Sequence, residues 1–200
     1  MTVALVLGGA ACVWADALAA LRLFKPDIVI ATNDMIPRWP AHVDCAVTLH
    51  PDNLPGWLDG RAARGLPAPG EVWSYRAAPR VQRTTKDWRG SSGLLGIKVA
   101  LIECRTTGAV VAGVPLDKTE HFVRGKPWGD AYAFFPGWAD HKRDIKDRAR
   151  SMSGWTRAQL GEPDADWLDR MDAMPPDPAL IEMVERSMNS AQSRVTVTSR

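Results

Sequence analysis

Apolar residues follow two patterns along this chain. Short uninterrupted runs, such as Val3-Ala4-Leu5-Val6-Leu7 and Gly108-Ala109-Val110-Val111-Ala112-Gly113-Val114, show no polar alternation. Strands of this kind are buried on both faces, as in the middle of a parallel sheet. Residues 27–31 and 44–49 read the same way, and residues 71–75 give a further strand. The second pattern has helical spacing. Within 14–24, Ala17, Leu18, Leu21 and Phe24 share a face, Asp16 lies in the first turn, and Pro26 stops the helix. Residues 89–104 open with Arg89-Gly90-Ser91-Ser92-Gly93 and then stay apolar except at Lys98 and Glu103, which predicts a buried helix. A helix starting at Asp140 would align His141, Ile145, Ala149 and Met152 and stop at Ser153-Gly154.

Strands alternating with helices give an α/β fold with a mostly parallel sheet and helices on both faces. The main domain is expected over 1–153. A small C-terminal helical appendage follows at 154–190, suited to packing or to a homo-oligomer contact, with a flexible polar tail at 191–200. Residues 52–90, rich in Pro, Gly, Trp and Arg, hold a short helix within 55–64 and otherwise read as a binding loop or lid.

Ligands of open α/β sheets bind beyond the carboxyl ends of the strands. Polar or small residues stand at those ends: Gly8 and Gly9, Asn33 and Asp34, His50, and Asp117. The Gly90–Gly93 helix start adds free N–H groups, the Ser91 and Ser92 hydroxyls and a positive dipole end, which suit phosphate or carboxylate. The plainer alternative is that one serine only caps the helix. Asn33 can donate and accept, as a nucleobase or ribose edge requires, or it closes an Asx-turn. Asp34 and Asp117 are candidates to hold Mg²⁺ against phosphates, or they pair with arginines or cap turns. His50 borders the crevice as a ligand contact or a structural residue. His121 and His141 are candidate bases, since an ordinary histidine titrates near pH 6.5. No set of metal ligands is assigned. The Gly8-Gly9 turn lacks the G-x-G-x-x-G spacing, so no dinucleotide cofactor is inferred, and there is no P-loop, nucleophile elbow or H-E-x-x-H.

Composition narrows the classes. A 46% hydrophobic, 24% charged chain of 200 residues is ordinary for a soluble domain, and a net charge of +2 gives no strong nucleic-acid signal. The basic stretch 142–150 is interleaved by Asp144 and Asp147, as on a solvated helix face. Cys12, Cys45 and Cys104 form neither a disulfide framework nor a zinc pattern, so a reducing cytoplasm is expected. No leader or membrane-spanning run is evident. Nine tryptophans, several in Pro/Gly-rich loops, either wall a pocket or anchor loops on the core.

Five segments carry a family resemblance: LVLGGA, IATNDMI, AVTLHP, GSSGLLGIKVALIECRTTGAVVAGVPLD and ADHKRDIK. Their order resembles the Rossmann-like bacterial sialyltransferases that use CMP-sialic acid. It is also similar to a family that includes motility-associated glycosyltransferases and archaeal pterin diphosphokinase-like proteins. The resemblance covers roughly residues 3–50 and 89–150. It implies a three-layer Rossmann-like fold and a nucleotide or nucleotide-sugar ligand. Gly8, Gly9, Asn33, Ser91, Ser92 and Gly93 would hold the nucleotide, with His141 as the base that deprotonates an acceptor hydroxyl. The expected activity is a glycosyltransferase-like or diphosphokinase-like transfer from a nucleotide-activated donor. Two alternatives stay open: a nucleotide-binding module without catalysis, and a structural or assembly protein that kept the fold.

Overall fold

The apolar runs form a single parallel sheet. The computed structural model describes residues 1–129 and 131–196. Its strands are β1 (Val3–Leu7), β2 (Ile28–Thr32), β3 (Cys45–Thr48), β4 (Glu71–Ser74), β5 (Arg83–Thr84), β6 (Gly108–Ala112) and β7 (Ala149–Ser151). The seven strands lie in the order β5-β4-β3-β2-β1-β6-β7, and every pairing is parallel. The helices are α1 (Val13–Leu21), α2 (Leu54–Ala62), α3 (Ser92–Lys98), α4 (Phe135–Ile145), α5 (Gly154–Leu160), α6 (Ala165–Arg170) and α7 (Pro178–Thr196).

The two faces of β1 explain its lack of alternation. Val3, Leu5 and Leu7 pack with α1, α2, α6 and α7. Ala4 and Val6 pack with α3, α4 and α5 on the other side. This is a three-layer Rossmann-like sandwich. The chain leaves β1 toward β2 through α1, and returns from the far edge through α3 to place β6 on β1's other flank. The strand order therefore reverses between β1 and β6, and that reversal opens a crevice at their carboxyl ends.

The C-terminal helices share this core: Trp167 of α6 and Val184 of α7 are fully buried against it. The segment expected as an appendage is thus joined to the main domain. Part of the expected tail, 191–196, continues α7, and residues 197–200 lie outside the described residues.

The expected helix from Asp140 to Met152 is a correction. The helix is α4, which begins five residues earlier with Pro136 in its first turn and ends at Ile145. Ala149–Ser151 is instead the edge strand β7, paired to β6. Consequently Arg148 lies on no helix face. Its guanidinium donates to the carbonyls of Leu101, Thr106 and Thr107, tying the end of the α3 segment to β6. Among the described residues, no helix is long and apolar enough to cross a membrane.

Candidate functional site

The switch-point crevice contains a cavity of about 420 Å³. Its wall includes Gly8, Gly9, Asn33, Asp34, His50, Ser91, Ser92, Gly93 and His121, all expected from the sequence. Two glycines make the floor. A Cβ on Gly8 would lie 2.3 Å from the Gly113 carbonyl oxygen, so only glycine lets the ends of β1 and β6 close up. A Cβ on Gly93 would meet both Val114 methyls at 2.8 and 2.9 Å. These glycines serve close packing at the cavity base.

Asn33 is the best-defined polar group. It turns the chain out of β2 at φ 49°, a left-handed conformation that asparagine tolerates. The Thr48 hydroxyl accepts from the His50 N–H at 2.8 Å, so its own proton goes to Asn33 Oδ1 at 2.7 Å. The Ser92 hydroxyl likewise accepts from the Leu49 N–H at 3.2 Å and donates to the same oxygen at 3.3 Å. With both Oδ1 lone pairs used, the amide orientation is fixed and the NH₂ group keeps two donors that neither Thr48 nor Ser92 uses. Ser91 is an N-cap that accepts from the Leu94 N–H at 3.3 Å and from Trp138 Nε1 at 3.2 Å. Both serine side chains are therefore engaged within the protein, and Ser91 does cap the helix while also lining the cavity.

The opposite wall comes from residues 119–129, which pack on the first glycine turn. Ala11 donates to the Glu120 carbonyl at 2.8 Å and Phe122 donates to the Gly9 carbonyl at 3.1 Å. This contact brings His121 and Lys126 onto Asp34, whose Oδ1 also accepts from Trp57 Nε1 at 3.2 Å. Burial alone would raise the Asp34 carboxyl. The Lys126 ammonium, the Trp57 N–H and His121 outweigh it and hold the group below the ordinary carboxylate value. Burial lowers His121 despite Asp34, so the ring is neutral. Val123 N–H donates to its Nδ1 at 2.9 Å, which leaves the proton on Nε2, 3.3 Å from Asp34 Oδ2. His121 is therefore a neutral donor with its acceptor nitrogen taken. It is poorly suited to be a base.

Two expected site residues fall outside the cavity wall. His141 sits on α4, stacked on Trp88 at 4.2 Å and paired with Asp144 at 3.2 Å. Asp117 is exposed beyond the wall, so it does not join Asp34 in a carboxylate pair for Mg²⁺. Asp34 itself is occupied by Lys126, and no group of three or more His, Cys, Asp or Glu among the described residues is arranged to hold a metal ion. Residues missed from the sequence are Trp57, Lys126, Trp128 and Phe134. Their signal in the sequence was compositional only: the Pro-, Gly-, Trp- and Arg-rich stretch 52–90 holds Trp57, and the Trp- and Gly-rich segment after Asp117 holds the other three.

No protein-family model, curated protein or solved structure matches this chain.

Proposed function

We propose that the chain is a transferase using a nucleotide-activated donor, a nucleotide sugar or a nucleoside phosphate, with the nucleotide held in the switch-point cavity. The observation that carries this reading is the Asn33 amide, which lines the cavity with its oxygen held by Thr48 and Ser92 and its two N–H donors used by neither. Such a fixed donor pair fits an acceptor edge of a base, a ribose oxygen or a phosphate. Trp57 and Trp128 supply aromatic wall for a planar ring. The volume lies in the range of small-molecule sites, which run from about 300 to about 1,000 Å³.

The wall's one lysine, Lys126, is already paired with Asp34, so a bound phosphate must share or displace that pairing. For proton transfer, His50 replaces His141 as the candidate. It lines the cavity and is exposed, whereas the acceptor nitrogen of His121 is taken by the Val123 N–H. That engagement of His121, with His141 outside the wall, favours a second reading in which the protein binds nucleotide without turnover.

The test is calorimetric titration with nucleoside mono- and diphosphates and nucleotide sugars, followed by chromatography of the bound donor over hours. Donor consumption that falls in His50→Ala, with binding retained, is the expected result. Binding with no consumption selects the second reading, and no binding removes both.

A further inference from the structure

Away from the cavity, two cysteines 59 positions apart in sequence bring their sulfurs to 3.8 Å. Cys45 opens β3 and is 4% exposed within the α3-side core. Cys104 ends the π-helical turn Val99–Glu103 that extends α3, fixed there by its N–H to the Val99 carbonyl at 2.8 Å, and is partly exposed. One thiol is thus reachable from solvent and the other waits directly behind it. A reactive cysteine next to a resolving cysteine is the arrangement that turns a sulfenic acid into a disulfide.

We propose that Cys45 and Cys104 form an oxidisable dithiol, with Cys104 attacking a hydroperoxide and Cys45 resolving it to an intrachain disulfide. In the first step the Cys104 thiolate sulfur bonds to one peroxide oxygen. The O–O bond breaks, and the departing oxygen takes a proton and leaves as water or alcohol. In the second step the Cys45 sulfur attacks the Cys104 sulfur of the sulfenic acid. An S–S bond forms, the S–O bond breaks, and the hydroxyl leaves as water with the Cys45 proton. Two thiols lose two electrons and two protons, and the hydroperoxide is reduced.

The surroundings support this division of labour. The contact with Cys45, across which either sulfur can donate, favours the Cys104 thiolate over the opposing effects of burial and of Glu71, Asp44 and Glu103. The same contact, together with burial, keeps Cys45 protonated. The third cysteine is no competitor. Burial raises Cys12 to about 11, and its sulfur lies 3.5 Å from the Ser153 hydroxyl. Such a thiol holds little thiolate at neutral pH.

The experiment treats the reduced full chain with hydrogen peroxide, alkylates the remaining thiols, and maps the peptides by mass spectrometry without reduction. The expected result is loss of two of the three titratable thiols, one Cys45–Cys104 link, alkylated Cys12, and full reversal by dithiothreitol. The urea-unfolded chain should lose this selectivity and give mixed pairings. In Cys45→Ser, peroxide should leave a Cys104 sulfenic acid that a cyclic dione traps. Three thiols still titratable after peroxide, Cys12 reacting first, links between chains, or native pairings as mixed as those in urea would each overturn the proposal. The wild-type peptide map decides the matter even if the variant does not fold.

Discussion

Alanine at Gly96 and alanine at Gly56 are the same chemical change in two helices, and the structure gives them opposite signs. Inside a helix, alanine is favoured over glycine by about 0.5–1 kcal/mol because it loses less backbone freedom on folding. At Gly56 in α2 an added Cβ meets no atom within 4 Å, so that gain stands alone. At Gly96 in α3 the new methyl would lie 2.6 Å from Val6 Cγ1. Val6 has little freedom to yield. It is fully buried, stiff at χ1, and in register with Ile30 on one side and Val111 on the other. Overpacking of this kind costs about 1–3 kcal/mol, which offsets the propensity gain and leaves a net loss of up to about 2.5 kcal/mol. For a domain of this size, thermal melts should fall by up to roughly 10 °C for Gly96→Ala and rise by roughly 1–4 °C for Gly56→Ala. Relief of the clash by lifting α3 would also stretch the Ser92–Asn33 contact, so Gly96→Ala should weaken ligand binding while Gly56→Ala does not. A Gly96→Ala protein that melts as high as Gly56→Ala would refute the close seating of α3 on β1.

Three further outcomes are expected. Arg61 is 1% exposed and donates to the carbonyls of Ile36, Trp39, Ala41 and Pro67, so Arg61→Met should cost at least about 3 kcal/mol in urea melts by leaving those acceptors unpaired. The His121–Asp34 wall should weaken in acid. His121 is lowered in the folded state, so below its ordinary value of 6.5 the unfolded chain takes up a proton that the folded chain refuses, and stability falls until the folded value is passed. Asp34, also lowered, contributes stability above its ordinary 3.8 that is lost as pH falls through its folded value. Urea melts from about pH 7 to about pH 5 should slope downward toward acid, and His121→Gln should flatten that slope; an unchanged slope assigns the effect elsewhere. Finally, His141→Ala should leave nucleotide affinity unchanged, because its ring packs on Trp88 outside the cavity.

The central strands were legible in the sequence because burial on both faces removes polar alternation, as in Val3–Leu7 and Gly108–Ala112. The edges were not. β5 is two exposed residues, Arg83 and Thr84, and β7 is three, too short to carry a period. Ala149 and Met152 happen to extend the helical spacing of His141 and Ile145, which hid the break after α4. On the near side of the cavity, each site residue follows its strand directly, so sheet topology alone located Gly8, Asn33 and His50. The far side depends on a loop folding back across 92 positions to join Lys126 to Asp34, and no local spacing records such a contact. His141 stands off the cavity wall for a related reason: sequence shows a histidine on a helix but not which way its ring faces.

The most direct test of the nucleotide cavity is calorimetric titration of wild type and Asn33→Asp with the nucleoside phosphate that binds best. Aspartate keeps an oxygen for Thr48 and Ser92 and replaces the two N–H donors with a charged acceptor. Losing hydrogen bonds worth about 1–3 kcal/mol should weaken binding roughly 5-fold to more than 100-fold, with a melting temperature close to wild type. Equal affinity in the two proteins, or no binding of any nucleotide to wild type, would contradict the account.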